Sequence, residues 1–327
     1  MNPARIILCP GQGAQAVGMA KAWCDRSPEA RRVFDEADRV LAGRLPGGAR
    51  LSDLCFGGPA EALNRTDVSQ PAIYTASVAC WHALMAGWQA GSLEETRAVA
   101  GAGLSLGEYT ALHIAGCFSF ADGLNLVALR GAAMQAAAEA APSGMVALIG
   151  ADEAQATQVC TEALAAAGPG QVLVCANFNA PGQIVISGSK AACDAAAAPD
   201  GPAAKLGLRA TALTVAGAFH SPLMAPAAEK LRAALEATAI AAPRIEVISN
   251  VTARAHAPEA GRGIEQTIRQ RLVEQLTAPV RWAQSAAALA QAHAGAEFIE
   301  LAPGKTLMGL MRRIDKSVKV HTHDEPV

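Results

Sequence analysis

Ala98-Val99-Ala100-Gly101-Ala102-Gly103-Leu104-Ser105-Leu106-Gly107-Glu108-Tyr109-Thr110-Ala111-Leu112 is the stretch that decides the fold of this 327-residue chain. Its centre, Gly103 to Gly107, fits the G-x-S-x-G pattern of a nucleophile elbow, where a serine sits on a tight strand-to-helix turn and the flanking glycines allow close backbone approach. The pattern also arises by chance in a chain with 30 glycines, so the setting matters. Here Ala98–Ala102 reads as a small-residue buried strand. Glu108–Leu112 reads as a helix with an acid in its first turn. A serine at that junction faces backbone N–H groups suited to an oxyanion.

Working outward, Arg5–Cys9 reads as a first buried strand closed by Pro10-Gly11-Gln12-Gly13-Ala14-Gln15, followed by a helical zone from Lys21 to Leu41. Val68–Leu93 carries no acid, lysine or arginine, yet it holds Thr75, Ser77 and His82 and starts beside Gln70-Pro71; a buried helix is expected, not a membrane span. Another helix is expected over Asp122–Ala140.

The texture then changes. Strands at Met145–Gly150, Val172–Ala176, Gln183–Gly188 and Ala210–Val215, with helices at Glu153–Ala167 and Ala191–Ala197, give the β-α-β-β-α-β order of a ferredoxin-like unit. Helices at Pro222–Ala237, Ile264–Gln275 and Arg281–Ala292, and strands at Ile245–Ser249 and Glu297–Leu301, complete the reading. The expected fold is α/β: a hydrolase-like large subdomain (1–142 and 214–327) with a mainly parallel sheet and the elbow, and an inserted ferredoxin-like small subdomain (143–213).

With 51% apolar and 17% charged residues the chain is expected to be globular, and a formal charge of −2 argues against a nucleic-acid binder. Eight scattered cysteines without a C-x-x-C pair fit reduced thiols in a cytoplasmic protein better than zinc sites or a disulfide framework. The apolar run in Met1–Leu8 is too short for a signal peptide.

Ser105 needs a base. His321 and His323 lie in the tail, His256 and His293 in polar or Ala-rich settings, and His82 and His113 inside helices. His220 ends the apolar run Leu213–Phe219 just before Ser221-Pro222, where a histidine at a strand's C-terminal end projects into a cleft; the alternative is a core histidine satisfied by backbone. None of Asp122, Asp152, Asp194 and Asp200 has a position that marks it as a triad acid. A Ser–His dyad suffices for a thioester, whose thiol leaves with a pKa of about 8.5. Arg130 is the only charged side chain between Asp122 and Glu139, in an otherwise apolar helix, so its guanidinium requires an anion: a structural carboxylate or a substrate carboxylate. Gly11-Gln12-Gly13 fails the dinucleotide fingerprint because Ala16 stands where the third glycine is needed.

Together these segments resemble the malonyl-CoA:acyl carrier protein transacylases and the acyltransferase domains of polyketide synthases, over essentially the whole chain. The resemblance rests on Pro10–Gln15, the elbow with Glu108-Tyr109, Leu129-Arg130-Gly131 with Met134-Gln135, Asn177–Gln183, Ala218–Met224, Gln275-Leu276 with Pro279–Trp282, and Pro303-Gly304-Lys305. It implies Ser105 as nucleophile, His220 as base, Gln275 orienting His220 through its carbonyl, Gln12 and Leu106 as backbone oxyanion donors, and Arg130 holding a malonyl carboxylate. Phe219 before the histidine implies malonyl over methylmalonyl. Two positions depart from the family: Leu104 stands where histidine is common, and Ala14 where serine is common.

The resemblance further implies ping-pong transfer from malonyl-CoA to the phosphopantetheine thiol of an acyl carrier protein, without a cofactor or metal, by a cytoplasmic monomer independent of nucleic acid and membrane. Lys305, Arg312, Arg313, Lys316 and Lys319 form a basic cluster that either docks an acidic carrier or is a solvated helix face. An ordinary esterase, a transferase for another carrier and a carrier-docking scaffold are the rival expectations.

Overall fold

β1 (Arg5–Cys9) runs through the centre of a five-stranded parallel sheet and is buried on both faces, which is why it reads as an unbroken apolar run. Its neighbours are β2 (Ala98–Gly103) and β8 (Glu297–Leu301); β7 (Glu246–Val247) and β9 (Val320–His323) form the edges. Strand alternation sends Ile7 and Cys9 into one core and Ile6 and Leu8 into another on the opposite face. The computed structural model describes residues 3–326. Met1 and Asn2, which begin the segment read for a leader, and Val327 lie outside the described residues.

A second, antiparallel sheet is inserted between the Phe120–Glu139 helix and the turn that carries His220. Its strands are β3 (Ser143–Ile149), β4 (Leu173–Ala180), β5 (Gln183–Ser189) and β6 (Arg209–Ala212). The spatial order β4-β5-β3-β6, with helices Glu153–Ala167 and Lys190–Ala197 as crossovers, is the ferredoxin-like arrangement and encloses its own core around Val146, Leu148 and Ile186. β4 also reaches back to the large sheet's layer, where Val280 N–H donates to Ala176 O (2.8 Å) and Val280 O accepts from Phe178 N–H (2.9 Å).

Several expectations shift. The helix expected over Val68–Leu93 spans Thr66–Gly87, so it takes Asp67 into its first turn and holds Pro71 inside it, where the Asp67 carbonyl lacks its usual N–H donor. The Lys21–Leu41 zone breaks at Ser27, which caps the second of two helices through Ala30 N–H, with Pro28 in its first turn. The strand expected over Ala210–Val215 ends at Ala212, so His220 sits in a turn and not at a strand's end. Ile245–Ser249 pairs with β2 only at Glu246–Val247. The tail assigned no elements above holds a helix, Thr306–Ile314, and β9, where His321 and His323 lie.

Two glycines set the approach of β1 to the elbow. A Cβ on Gly107 would lie 2.1 Å from Cys9 O, and one on Gly103 would lie 1.8 Å from Gly107 C. Both contacts are with backbone, which cannot swing aside. Gly107→Ala is therefore expected to lower stability in urea unfolding by about 3 kcal/mol or to prevent folding. Gly309→Ala, with nothing within 4 Å in an exposed helix turn, is expected to be neutral or to stabilise by about 0.5–1 kcal/mol. Equal effects would remove the steric account.

Candidate active site

Ser105 has a left-handed backbone (φ 52°) between the end of β2 and the Gly107–Ile114 helix. That conformation costs an L-residue roughly 1 kcal/mol or more, so it persists only where surroundings fix it. Asn250 does much of this. Its Nδ2 donates to Gly103 O (2.7 Å) and its Oδ1 accepts from Ser105 N–H (2.6 Å). Leu104 N–H donates to Cys9 O at 3.1 Å, tying the turn to β1.

His220 also has positive φ (57°). The turn before it is pinned by Ser143 Oγ, which accepts from Ala218 N–H (3.2 Å), and by Ser187 Oγ, which donates to Phe219 O (2.6 Å). Thus the small sheet helps place the histidine. His220 Nε2 lies 2.8 Å from Ser105 Oγ, and His220 Nδ1 lies 2.7 Å from Gln275 O. A carbonyl only accepts, so Nδ1 carries the proton and Nε2 offers its lone pair to the serine hydroxyl. Burial, and secondarily the Arg130 charge, push the His220 pKa down to about 4, against the opposing pull of the Gln275 carbonyl. The imidazole is neutral at pH 7 and competent as a base.

Arg130 is 1% exposed on the inner face of the Phe120–Glu139 helix. Its Nη1 donates to Gln70 Oε1 (2.7 Å), and its Nη2 donates to Gln275 Oε1 (2.9 Å) and Ser105 Oγ (3.0 Å). These three partners are neutral, and Nε has none among the described residues. Tyr109 lies beneath, with its ring centroid 5.5 Å from the guanidinium carbon. Burial lowers the Arg130 pKa, and the neighbouring Tyr109 and then Glu108 oppose that shift. A buried cation without an ion-pair partner among the described residues is a ready anion site.

Ser105 and His220 open into a cleft of about 570 Å³, lined from the large sheet's side by Gln12 and Leu104 and from the small sheet's side by Met145, Asn177 and Asn179. Phe219 also lines it, 6% exposed. Gln12 belongs to the loop after β1, which presses on the elbow: a Cβ on Gly11 would lie 2.3 Å from Leu104 O. Leu106 is buried directly after the serine, and its N–H and that of Gln12 take no hydrogen bond among the described residues. Of the seven expected residues, Gln12, Ser105, Phe219 and His220 line the cleft, while Arg130 and Gln275 are buried within hydrogen-bond distance of Ser105 and His220, and Leu106 is buried beside the serine. The sequence reading missed Gln70 and Asn250. Gln70 had a signal, as an amide in a charge-free helix; Asn250, on a loop far along the chain, had none.

Residues 6–323 match the family described as the acyl transferase domain. The chain is 39% identical to the malonyl CoA-acyl carrier protein transacylase of Salmonella typhimurium, over 98% of this chain and 96% of the relative. Its structure is similar to that of the malonyl-CoA:acyl carrier protein transacylase from Xanthomonas oryzae pv. oryzae (TM-score 0.87, 42% identity, covering 100% and 96% of the two chains). It is also similar to a malonyl-transacylase solved with its type II PKS acyl-carrier protein (TM-score 0.86, 34% identity, 99% and 96%).

The depressed His220 pKa has a measurable consequence. Labelling of Ser105 by a fluorophosphonate probe should stay level from pH 8 to below pH 6 and be lost as pH falls through about 4, since only the neutral imidazole accepts the serine proton. A midpoint near 6.5, the ordinary histidine value, would overturn the assignment of His220 as a buried base. Circular dichroism must run alongside. An unfolded histidine binds its proton at higher pH than the folded one, so the fold itself loses stability as pH drops from about 6.5 toward 4.

Proposed function

The chain belongs to the acyl transferase family, and from that membership we propose that it transfers a malonyl group from malonyl-CoA to the phosphopantetheine thiol of an acyl carrier protein, for fatty-acid or polyketide synthesis. The observation that carries the malonyl assignment is Arg130: a buried guanidinium 3.0 Å from the serine Oγ, coordinated by neutral groups. An acyl group bearing its own carboxylate completes this site; an acetyl group leaves the cation unpaired.

In the proposed ping-pong cycle, Ser105 Oγ attacks the thioester carbonyl while its proton passes to His220 Nε2. The Gln12 and Leu106 N–H groups take the oxyanion as charge develops on the carbonyl oxygen. Collapse breaks the C–S bond, the CoA sulfur leaves with the proton from His220, and malonyl-Ser105 remains. The carrier's thiol then enters the same cleft, gives its proton to His220 and attacks the ester, and the proton returns to Ser105 Oγ. Arg130 Nη2, freed from Ser105 Oγ by esterification, holds the malonyl carboxylate throughout, and bidentate geometry fixes the acyl chain. Phe219 at the cleft wall fits an unsubstituted malonyl group. The scheme calls for no cofactor.

The proposed division of the chain, 1–142 with 214–327 and the inserted 143–213, puts the cleft at the junction of the two parts. Lys305, Arg312, Arg313, Lys316 and Lys319 are exposed and are proposed as part of the surface facing an acidic carrier. Among the described residues no helix is long and apolar enough to cross a membrane. All eight cysteines are free, which fits a reducing compartment such as the cytoplasm.

Brief incubation with malonyl-CoA followed by mass spectrometry should find a malonyl adduct on Ser105, missing in Ser105→Ala and discharged by a holo acyl carrier protein. Discharge to water alone would assign a hydrolase. In Arg130→Ala, malonyl loading should fall about 10²-fold or more, as expected when a charged, bidentate contact is removed, while acetyl loading falls far less. Equal losses on both donors would make Arg130 a structural residue.

A further inference from the structure

Glu108 and His256 form a buried pair that the acyl-transfer cycle does not use. His256 Nε2 lies 2.8 Å from Glu108 Oε1, and both side chains are fully buried. Glu108 follows the elbow in the first turn of its helix, with its carboxylate turned inward rather than to solvent. His256 arrives from the loop beyond β7, held by its own N–H on Val247 O (2.9 Å) and by the Ile248–Ala255 bridge.

The other carboxylate oxygen is the informative one. Glu108 Oε2 accepts from Asn250 N–H (3.0 Å) and from Gln275 Nε2 (2.7 Å). Each of these residues ends on the dyad. Asn250 Oδ1 accepts from Ser105 N–H, and Gln275 O accepts from His220 Nδ1. Gln275 Nε2 also donates to Ser105 O at 3.0 Å, while its Oε1 accepts from Arg130. One carboxylate thus sits behind the nucleophile, the base and the buried cation, touching none of them.

We propose that His256 and Glu108 are a positioning pair for Ser105 and His220. The reason lies in the torsions. The terminal torsion of a glutamate is broad and roughly two-fold, so two donors on Oε2 do not by themselves fix the carboxylate plane. The third donor, on Oε1, does. A carboxylate oxygen accepts, so His256 Nε2 carries the donor N–H, and Nδ1 has no partner among the described residues, which leaves Glu108 as the ring's one polar contact. His256 thereby orients the Glu108 carboxylate, and the Gln275 amide, held at Nε2 by Glu108, turns its Oε1 toward Arg130. The inference rests on Ser105 and His220 being the acyl-transfer dyad.

The test compares full-length His256→Leu, His256→Ala and His256→Gln, each checked by thermal melt. Two reactions are followed at Ser105: malonyl-adduct formation across a malonyl-CoA series, and fluorophosphonate labelling. Leucine and alanine remove the donor, one keeping the volume and one not; glutamine restores an amide N–H at similar reach. The leucine and alanine variants should load at a maximal rate lower by roughly tenfold to a hundredfold, with half-saturation unchanged within about twofold, and label more slowly to match. Glutamine should recover most of both rates. Unchanged maximal rates, a loss confined to half-saturation, glutamine no better than leucine, or failure of both donor-free variants to fold would each overturn the inference. A wild-type protein that labels but takes no malonyl group sinks the malonyl reading instead, and the labelling series then decides on His256 alone.

Discussion

The site depends on a backbone turn held in a conformation its sequence does not favour. Ser105 is not a glycine, yet φ is 52° there, and the next turn of chain must begin a helix at once. Glycine at 103 and 107 lets the elbow close on itself and on β1. Asn250 then supplies, from a loop far along the chain, the two hydrogen bonds that a regular ladder would have made to Gly103 O and Ser105 N–H. Loosened, the turn would present neither the hydroxyl nor the N–H groups behind it in a fixed place. Fixed, it gives the hydroxyl a constant distance to an imidazole held from a different layer of the molecule.

Charge is handled with the same economy of contacts. Arg130 is buried, and a direct carboxylate partner would stabilise it, but would also fill the place where a substrate anion belongs. The protein instead surrounds it with the amides Gln70 and Gln275 and the serine hydroxyl, and keeps Glu108 one amide away. Burial depresses the His220 pKa and the same cation adds to the shift, which keeps the imidazole neutral. In the proposed cycle that one residue bears on both selection of the acyl group and readiness of the base.

Much of this was legible in the sequence because it is local. The elbow glycines, the apolar run of β1, the charge-free helix and the lone arginine are patterns within a few turns of chain, and the β-α-β-β-α-β order of the insert follows from the order of short periodic segments. Boundaries failed where tertiary contacts override periodicity. The run through Phe219 leaves its sheet at Ala212 because Ser143 and Ser187 pull the following turn toward the cleft. β9 was invisible because an edge strand of this kind is short and polar.

Sequence by itself determined the layered α/β frame and the candidates for its chemistry: a serine on an elbow, a histidine before Ser221-Pro222 and an arginine that must find an anion. What only the tertiary structure decided is how those groups are oriented. Asn250, Gln70 and the inward-facing Glu108 with His256 bear no local signature, since an amide or acid becomes a positioning group only through what folding places within about 3 Å of it. Hydrogen-bond direction is a property of the assembled layers, and no period in one stretch of chain encodes it.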